Sequence, residues 1–313
     1  MTMMNVKRAA SAALIMLWVT GVAEAAEPRA VPLYAGDIPN AIEAPDQESL
    51  RDPADEWPFY QNISRPTLQA YVPAKQDPKR AAVIIFPGGG YRGVSILKEG
   101  FDVARAFNDM GVTAFVVKYR TPSDRHMKDK RTGPLQDAQQ AIATVRRGAA
   151  RWKIDPARIG IIGFSAGGHL AATAGTLFKS PVLPQWRSAD VRPDFLMLIY
   201  PVITFVEPAV HAGSRTMLLG DAPSQADLQR FSAQLSVSDE TPPTFLMHAA
   251  DDQGVPVANS IGFFEALQAR KIPVQMMIYP RGGHGFGLNN ATTRDRWIDR
   301  CRQWLQSQGW ISQ

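Results

Sequence analysis

The stretch from Ile159 to Leu170, Ile-Gly-Ile-Ile-Gly-Phe-Ser-Ala-Gly-Gly-His-Leu, constrains the fold of this chain more than any other. Residues 159–162 form a short apolar run that reads as a buried strand. The run breaks at Gly163-Phe164-Ser165-Ala166-Gly167, and an Ala-rich stretch suited to a helix follows. Strand, G-x-S-x-G and helix together are the setting of a nucleophile elbow, where a serine sits on a sharp, strained turn. Glycines two before and two after the serine let helix and strand close up behind it. The turn also puts the serine at a helix N-terminus, where backbone N–H groups point toward a developing oxyanion. The motif alone fits an ordinary strand-to-helix turn with a chance serine equally well. The partners decide.

The rest of the chain alternates strand and helix patterns. Residues 27–66 are rich in proline and acidic groups and read as an extended arm, or partly as a linker. Residues 67–72 alternate as an early edge strand does. Buried strands are expected at 81–86, 113–117, 159–162 and 195–200, and further strands at 244–249 and 274–279. Helices are expected at 99–110, 134–152, 168–174, 257–270 and 294–308. Residues 120–132 read as a polar loop. Residues 201–243 have no clear period and are too long for a plain connection, so they read as a small cap. This alternation predicts an α/β protein with a mostly parallel sheet covered on both faces. Its organisation is then a leader at 1–25, an arm at 26–66 and a catalytic domain at 67–313 with the cap inserted.

A serine nucleophile needs a base, an acid and an oxyanion hole, and in folds that carry the serine on such an elbow these follow in the order serine, acid, histidine, on loops after later strands. There are five histidines. His126 lies in a charged loop, His169 rides on the elbow helix and reads as packed beneath it, and His211 falls in the cap. His248 lies near a strand end and reads as a core or supporting residue. His284 sits in Gly282-Gly283-His284-Gly285-Phe286-Gly287, just after the last strand, and is the base this order selects. The acid belongs after the strand at 244–249, where Asp251 and Asp252 are adjacent. Pro87-Gly88-Gly89-Gly90-Tyr91 follows the early strand, and its glycines let backbone N–H groups approach a substrate oxygen. Gly89, Gly90 and the N–H of Ala166 are the oxyanion-hole candidates. Trp57, Tyr91 and Trp186 are aromatic side chains that could contact a substrate, with Tyr91 the substrate-binding candidate, although each could equally be a packed aromatic.

At this point the sequence resembles the α/β-hydrolase superfamily, and within it exported carbohydrate acetyl esterases of the acetyl xylan esterase type. The resemblance rests on Phe86-Pro-Gly-Gly-Gly-Tyr91, Val117-Lys-Tyr-Arg120, Pro134-Leu-Gln-Asp-Ala138, Asp155-Pro-Ala-Arg-Ile-Gly160 and Gly163-Phe-Ser-Ala-Gly-Gly-His-Leu170. It continues through Arg192-Pro-Asp-Phe195, Tyr200-Pro-Val202, Pro242-Pro-Thr-Phe-Leu246, Asp251-Asp252 and Gly282-Gly-His-Gly-Phe-Gly287, and spans most of residues 60–308. It implies an α/β-hydrolase fold and a Ser165–Asp252–His284 set. Asp252 is preferred because it stands three residues before Val255-Pro256, as in acid loops of this fold, with Asp251 as the fallback. One departure is visible: the histidine that usually precedes the glycine run is Pro87. The implied chemistry is hydrolysis of acetyl esters on a small ester or oligosaccharide, through an acyl-enzyme and without metal or organic cofactor. Other serine hydrolase activities on small esters or peptides, and a non-catalytic carbohydrate-binding role, are the alternatives. A glycosidase would need two carboxylates facing the sugar, about 5 to 9.5 Å apart, and would leave the serine set without a role.

Composition narrows the setting. The 313 residues carry a net charge of +5, but the basic residues are scattered, so no nucleic-acid partner is implied. A single cysteine, Cys301, excludes an intrachain disulfide. Lys7 and Arg8, an apolar run at 9–22 and Ala23-Glu24-Ala25 read as a secretory signal cleaved after Ala25 or Ala26. The alternative, a retained anchor, has an apolar run short of the roughly 20 residues that span a bilayer. The mature protein is therefore expected to be exported, to periplasm or medium, and free of the membrane. The sequence does not specify the oligomeric state.

Overall fold

The apolar runs at 82–86, 113–118 and 159–164 lack a polar face, which fits strands covered on both sides. In the computed structural model they are the adjacent parallel strands at the middle of the sheet. The structure describes residues 28–51 and 59–313. The leader at 1–25 and Trp57 lie outside the described residues.

The strands, in chain order, are β1 (Val31–Pro32), β2 (Ser49–Arg51), β3 (Phe59–Gln61), β4 (Thr67–Tyr71), β5 (Ala82–Phe86) and β6 (Gly93–Val94). They continue with β7 (Thr113–Lys118), β8 (Ile159–Phe164), β9 (Leu196–Ile199), β10 (Thr244–Ala249) and β11 (Val274–Tyr279). Among the described residues, eight of these form one sheet in the order β1-β4-β7-β5-β8-β9-β10-β11. β4 runs antiparallel to β7 and to β1, while β7 through β11 are parallel. This is an α/β-hydrolase fold. Residues 67–71 are not the edge of the sheet, because the two-residue β1 from the arm pairs outside them.

Helices cover the sheet, and the departures from expectation have local causes. The pattern at 134–152 splits into Gly133–Arg147 and Ala149–Trp152. Gly148 interrupts it: a Cβ there would lie 2.4 Å from the Trp152 ring, so the chain closes up where only glycine fits. The pattern at 99–110 opens with a π-helical turn, Leu97–Phe101, before the α-helix Asp102–Asp109. That turn carries the buried Glu99. Every residue of the helix Ser165–Thr176 is buried, which accounts for its alanine and glycine content.

The polar loop at 120–132 starts with a fully buried arginine. Arg120 Nη2 lies 2.8 Å from Asp137 Oδ1, and both side chains are inaccessible to solvent. The Tyr34 hydroxyl donates to the same carboxylate, and Arg120 Nη1 donates to Pro39 O. The arm is thus fastened to a buried ion pair, where removing one partner typically costs about 3 to 5 kcal/mol. Its other end forms the antiparallel set β2-β3-β6, in which Gln61 pairs with Gly93. β3 therefore braces the loop that begins at Gly88.

Candidate active site

β8 ends at Phe164 in extended geometry, and Ser165 takes φ = 50°, a left-handed conformation. Such strain costs on the order of 1–3 kcal/mol and persists only where the surroundings enforce it. The two glycines of the motif do so. A Cβ on Gly163 would lie 2.2 Å from Gly167 O, and one on Gly167 would lie 2.1 Å from Phe86 O. Any side chain at either position would push the helix away from β5 and β8 and open the turn.

Two loops at the C-terminal ends of β10 and β11 complete the set. His284 Nε2 is 2.8 Å from Ser165 Oγ, and His284 Nδ1 is 2.7 Å from Asp252 Oδ2. The chain reaches this geometry by taking positive φ at Gly283 (62°) and Gly285 (75°), on either side of the histidine. The other Asp252 oxygen, Oδ1, accepts from the N–H groups of Gly254 and Val255, each at 2.8 Å. Burial alone would raise the Asp252 carboxyl. Hydrogen bonds from His248 and His284 and from the Val255 N–H outweigh it and hold the group well below the usual carboxylate range. Asp251 points elsewhere, with Oδ1 accepting from Gly283 N at 2.8 Å, and so fastens the histidine loop.

The remaining histidines also find defined places. His248 Nε2 lies 3.0 Å from Val255 O and 3.2 Å from Asp252 Oδ2, while its Nδ1 meets Ser260 Oγ. It supports Asp252 from behind. His169 is wholly buried under the elbow, between the Tyr91 hydroxyl and Phe231 O. His126 is buried and bonded to Thr121 O.

The cavity above Ser165 has a volume of about 450 Å³ and is lined by Gly89, Gly90, Arg92, Ser95, Lys98, Glu99, His211, Gly213, His284 and Gly285. This falls within the range of small-molecule sites. Among the described residues, Gly89 N and Gly90 N donate no hydrogen bond. Ala166 lies in the first turn of its helix, where N–H groups have no intrahelical acceptor. The three N–H groups chosen from the sequence are therefore all free of internal partners, and the two glycines line the cavity.

Tyr91 does not line it. Its ring is 1% exposed, held edge-on to Tyr119, and its hydroxyl bonds His169 Nδ1 at 2.8 Å. The loop turns at Tyr91 with φ = 60°, which sends the side chain inward. Trp186 packs on the helix Gly133–Arg147, beneath Arg147 and bonded to Gln140. In their place the structure brings in His211 and Arg92, which sequence reasoning left unassigned. Burial first, then His284 and Arg92, push the His211 imidazole below its ordinary value. Its Nδ1 accepts from Ser214 N at 3.1 Å, which leaves the proton on Nε2. Nothing in the irregular pattern of 201–243 marks this histidine, because its place depends on how the segment folds back over the sheet.

Among the described residues, no group of three His, Cys, Asp or Glu side chains is placed to hold a metal ion. No described helix is long and apolar enough to cross a membrane.

The model of the BD-FAE family matches residues 68–267, well over half of the chain. The chain belongs to the BD-FAE family. It is 36% identical over 234 residues to the endo-1,4-β-xylanase B of Butyrivibrio fibrisolvens, and 35% identical over 237 residues to an acetylxylan esterase of Xylanibacter ruminicola. Each match covers 74% of this chain but only 36% and 46%, respectively, of the relative's own length. Among solved structures, an acetyl ester-xyloside bifunctional hydrolase from Caldicellulosiruptor lactoaceticus is 36% identical, with a TM-score of 0.73. That likeness covers 91% of this chain and 98% of the other. The BD-FAE match takes in Ser165 and Asp252 and stops short of His284.

Proposed function

We propose that this BD-FAE family member is a serine esterase that removes acetyl groups from small esters, with acetylated xylan-type oligosaccharides as the natural class. The observation that carries the proposal is the unbroken chain Asp252–His284–Ser165, whose serine opens into a cavity floored by unpaired glycine N–H groups. In this reading His284 Nε2 takes the Ser165 proton as Oγ attacks the ester carbonyl. Asp252 holds the ring and stabilises its charged form. The N–H groups of Gly89, Gly90 and Ala166 receive the oxyanion, where losing one donor typically costs about 2.7 to 4 kcal/mol. His284 then protonates the departing alcohol, and water attacks the acetyl-enzyme by the reverse route.

The substrate class is supported by the names of the relatives and by the polar walls of the cavity. A sugar hydroxyl that loses water needs hydrogen-bond partners, and His211, Ser95, Arg92 and Lys98 are polar side chains that line the cavity. Glycoside cleavage finds less support. Glu99 is the one carboxylate lining the cavity among the described residues, and its oxygens are already engaged. The leader further suggests that the protein works outside the cytoplasm. Mature protein from a secreting host should then begin at Ala26 or Glu27.

The test is a substrate series. The value of kcat/KM should fall steeply from acetyl to butyryl p-nitrophenyl esters and vanish for long chains. Acetate should leave acetylated xylo-oligosaccharides without shortening them. Efficient cleavage of octanoyl esters, or new reducing ends from unacetylated xylan, would count against the proposal.

A further inference from the structure

Glu99 is 5% exposed, lies against the active-site cavity, and has no part in the proton relay just described. Its two oxygens are used in opposite directions. Oε2 accepts from Gly88 N at 2.7 Å, at the root of the glycine loop. Oε1 accepts from the Tyr200 hydroxyl at 2.7 Å. That hydroxyl in turn accepts from Gly287 N at 2.9 Å, in the histidine loop. The same Tyr200 ring stands edge-on to the His284 imidazole, with ring centres 5.1 Å apart. Tyr200 is wholly buried and has φ = 38°, a left-handed conformation that a tyrosine adopts only under constraint. Glu99 itself sits on the π-helical turn Leu97–Phe101, a rare geometry found mostly at functional sites.

We infer that Glu99 and Tyr200 form a positioning pair that holds the oxyanion loop and the histidine loop in register across Ser165. Hydrogen-bond direction explains the choice of residues. Gly88 N–H and Gly287 N–H can only donate, and the tyrosine has one proton to give. The chain closes with every partner satisfied only when both Glu99 oxygens accept, which a carboxylate does. The bond to Gly88 fixes the peptide that enters the glycine run, and with it the direction of the next two N–H groups. A Cβ on Gly88 would lie 2.8 Å from Glu99 Oε2 and 2.9 Å from Ser165 Cβ, so this peptide is clamped between carboxylate and nucleophile. The sequence separation of Glu99 and Tyr200 is 101 residues, and the contact exists only in the folded enzyme.

The inference rests on the esterase reading, and the experiment separates the two. Glu99→Gln is isosteric but offers one acceptor where two are needed. Tyr200→Phe keeps the ring against His284 and removes the hydroxyl. For each variant, active sites are counted by titration with an organophosphonate, and kcat and KM are measured on p-nitrophenyl acetate. Because misplacing a group by about 1 Å can cost about 100-fold, kcat per titrated site should fall about 10- to 100-fold in at least one variant. KM should stay within about threefold of the parent. A role confined to stability would lower the number of titrated sites and leave kcat per site unchanged. That result in both variants overturns the inference. Activity that survives Ser165→Ala would overturn the esterase reading, and this inference with it.

Discussion

Replacing Asp252 with asparagine tests the site at the point where the geometry dictates the outcome. The new amide must choose which end to present to which neighbours. Oδ1 accepts from two backbone N–H groups, those of Gly254 and Val255, which can only donate, whereas His248 Nε2 near Oδ2 keeps Val255 O as its partner, so the amide oxygen has to stay at Oδ1. The NH₂ then occupies the Oδ2 position, 2.7 Å from His284 Nδ1. Two donors cannot face each other, so Nδ1 becomes an acceptor and the ring proton moves to Nε2. That nitrogen then points its proton at Ser165 and cannot take one from it. The opposite flip would set an NH₂ against two backbone N–H groups and leave buried donors unsatisfied, at about 1 to 3 kcal/mol each. A wrong-tautomer substitution of this kind lowers kcat by about 10⁴-fold in the serine protease template, or about 5 kcal/mol of barrier. Asp251→Asn should behave differently. Its exposed side chain keeps a carbonyl oxygen for Gly283 N, so activity should fall less than about tenfold. The assay is steady-state hydrolysis of p-nitrophenyl acetate by both variants, with circular dichroism to confirm folding. A folded Asp252→Asn enzyme with near-parental kcat, or a larger loss in Asp251→Asn, would refute the reasoning.

Two further outcomes concern stability. Gly167→Ala should fail to accumulate as folded protein or unfold at a much lower temperature, because its Cβ would meet the Phe86 and Pro87 carbonyl oxygens at 2.1 and 2.4 Å. Backbone atoms there cannot yield, so the cost should reach or exceed the upper end of about 1 to 3 kcal/mol seen for overpacking, and a parental melting temperature would contradict it. His169 predicts an acid-sensitive fold. Burial pushes its pKa down to about 4 from the ordinary 6.5, against a smaller opposing effect of its bond to Phe231 O. The unfolded chain therefore binds the proton more readily, and stability falls as pH drops from about 6.5 toward 4, by about 3 kcal/mol in all. His126 and His211 are lowered in the same direction and add to the slope. Asp252, held low, acts only at more acid pH. Urea unfolding at pH 7 and pH 4 should show this loss, His169→Gln should reduce it, and an unchanged slope in that variant would contradict the assignment.

Much of the fold could be read from the sequence because parallel strands buried on both faces leave continuous apolar runs, as at 82–86 and 159–164. Ser165, His284 and the glycine run at 88–90 were readable for a related reason. Each lies in a short turn where glycine is required locally, so the turn leaves a sequence mark. Choosing Asp252 over Asp251 needed the resemblance, since the two are adjacent and only folding separates their partners. Polar groups with distant partners were not readable. Arg120 opens a stretch that looks solvated, yet it is fully buried, because Asp137, Gln136 and the carbonyl groups of Pro39 and Gly133 supply its acceptors. Glu99 looks like a surface position on an amphipathic helix until Tyr200 and Gly88 are seen beside it. Tyr91 shows the reverse: an aromatic in the active-site loop that suggests substrate contact but, with φ = 60°, turns into the core.

Covalent labelling tests the central claim most directly. The protein is treated with an organophosphonate ester, digested, and its peptides are mapped by mass spectrometry while acetate release is followed in parallel. The account predicts one modified residue, Ser165, with labelling and loss of activity proceeding together, and no label in Ser165→Ala. Modification elsewhere, or hydrolysis that continues after Ser165 is fully labelled, would contradict it.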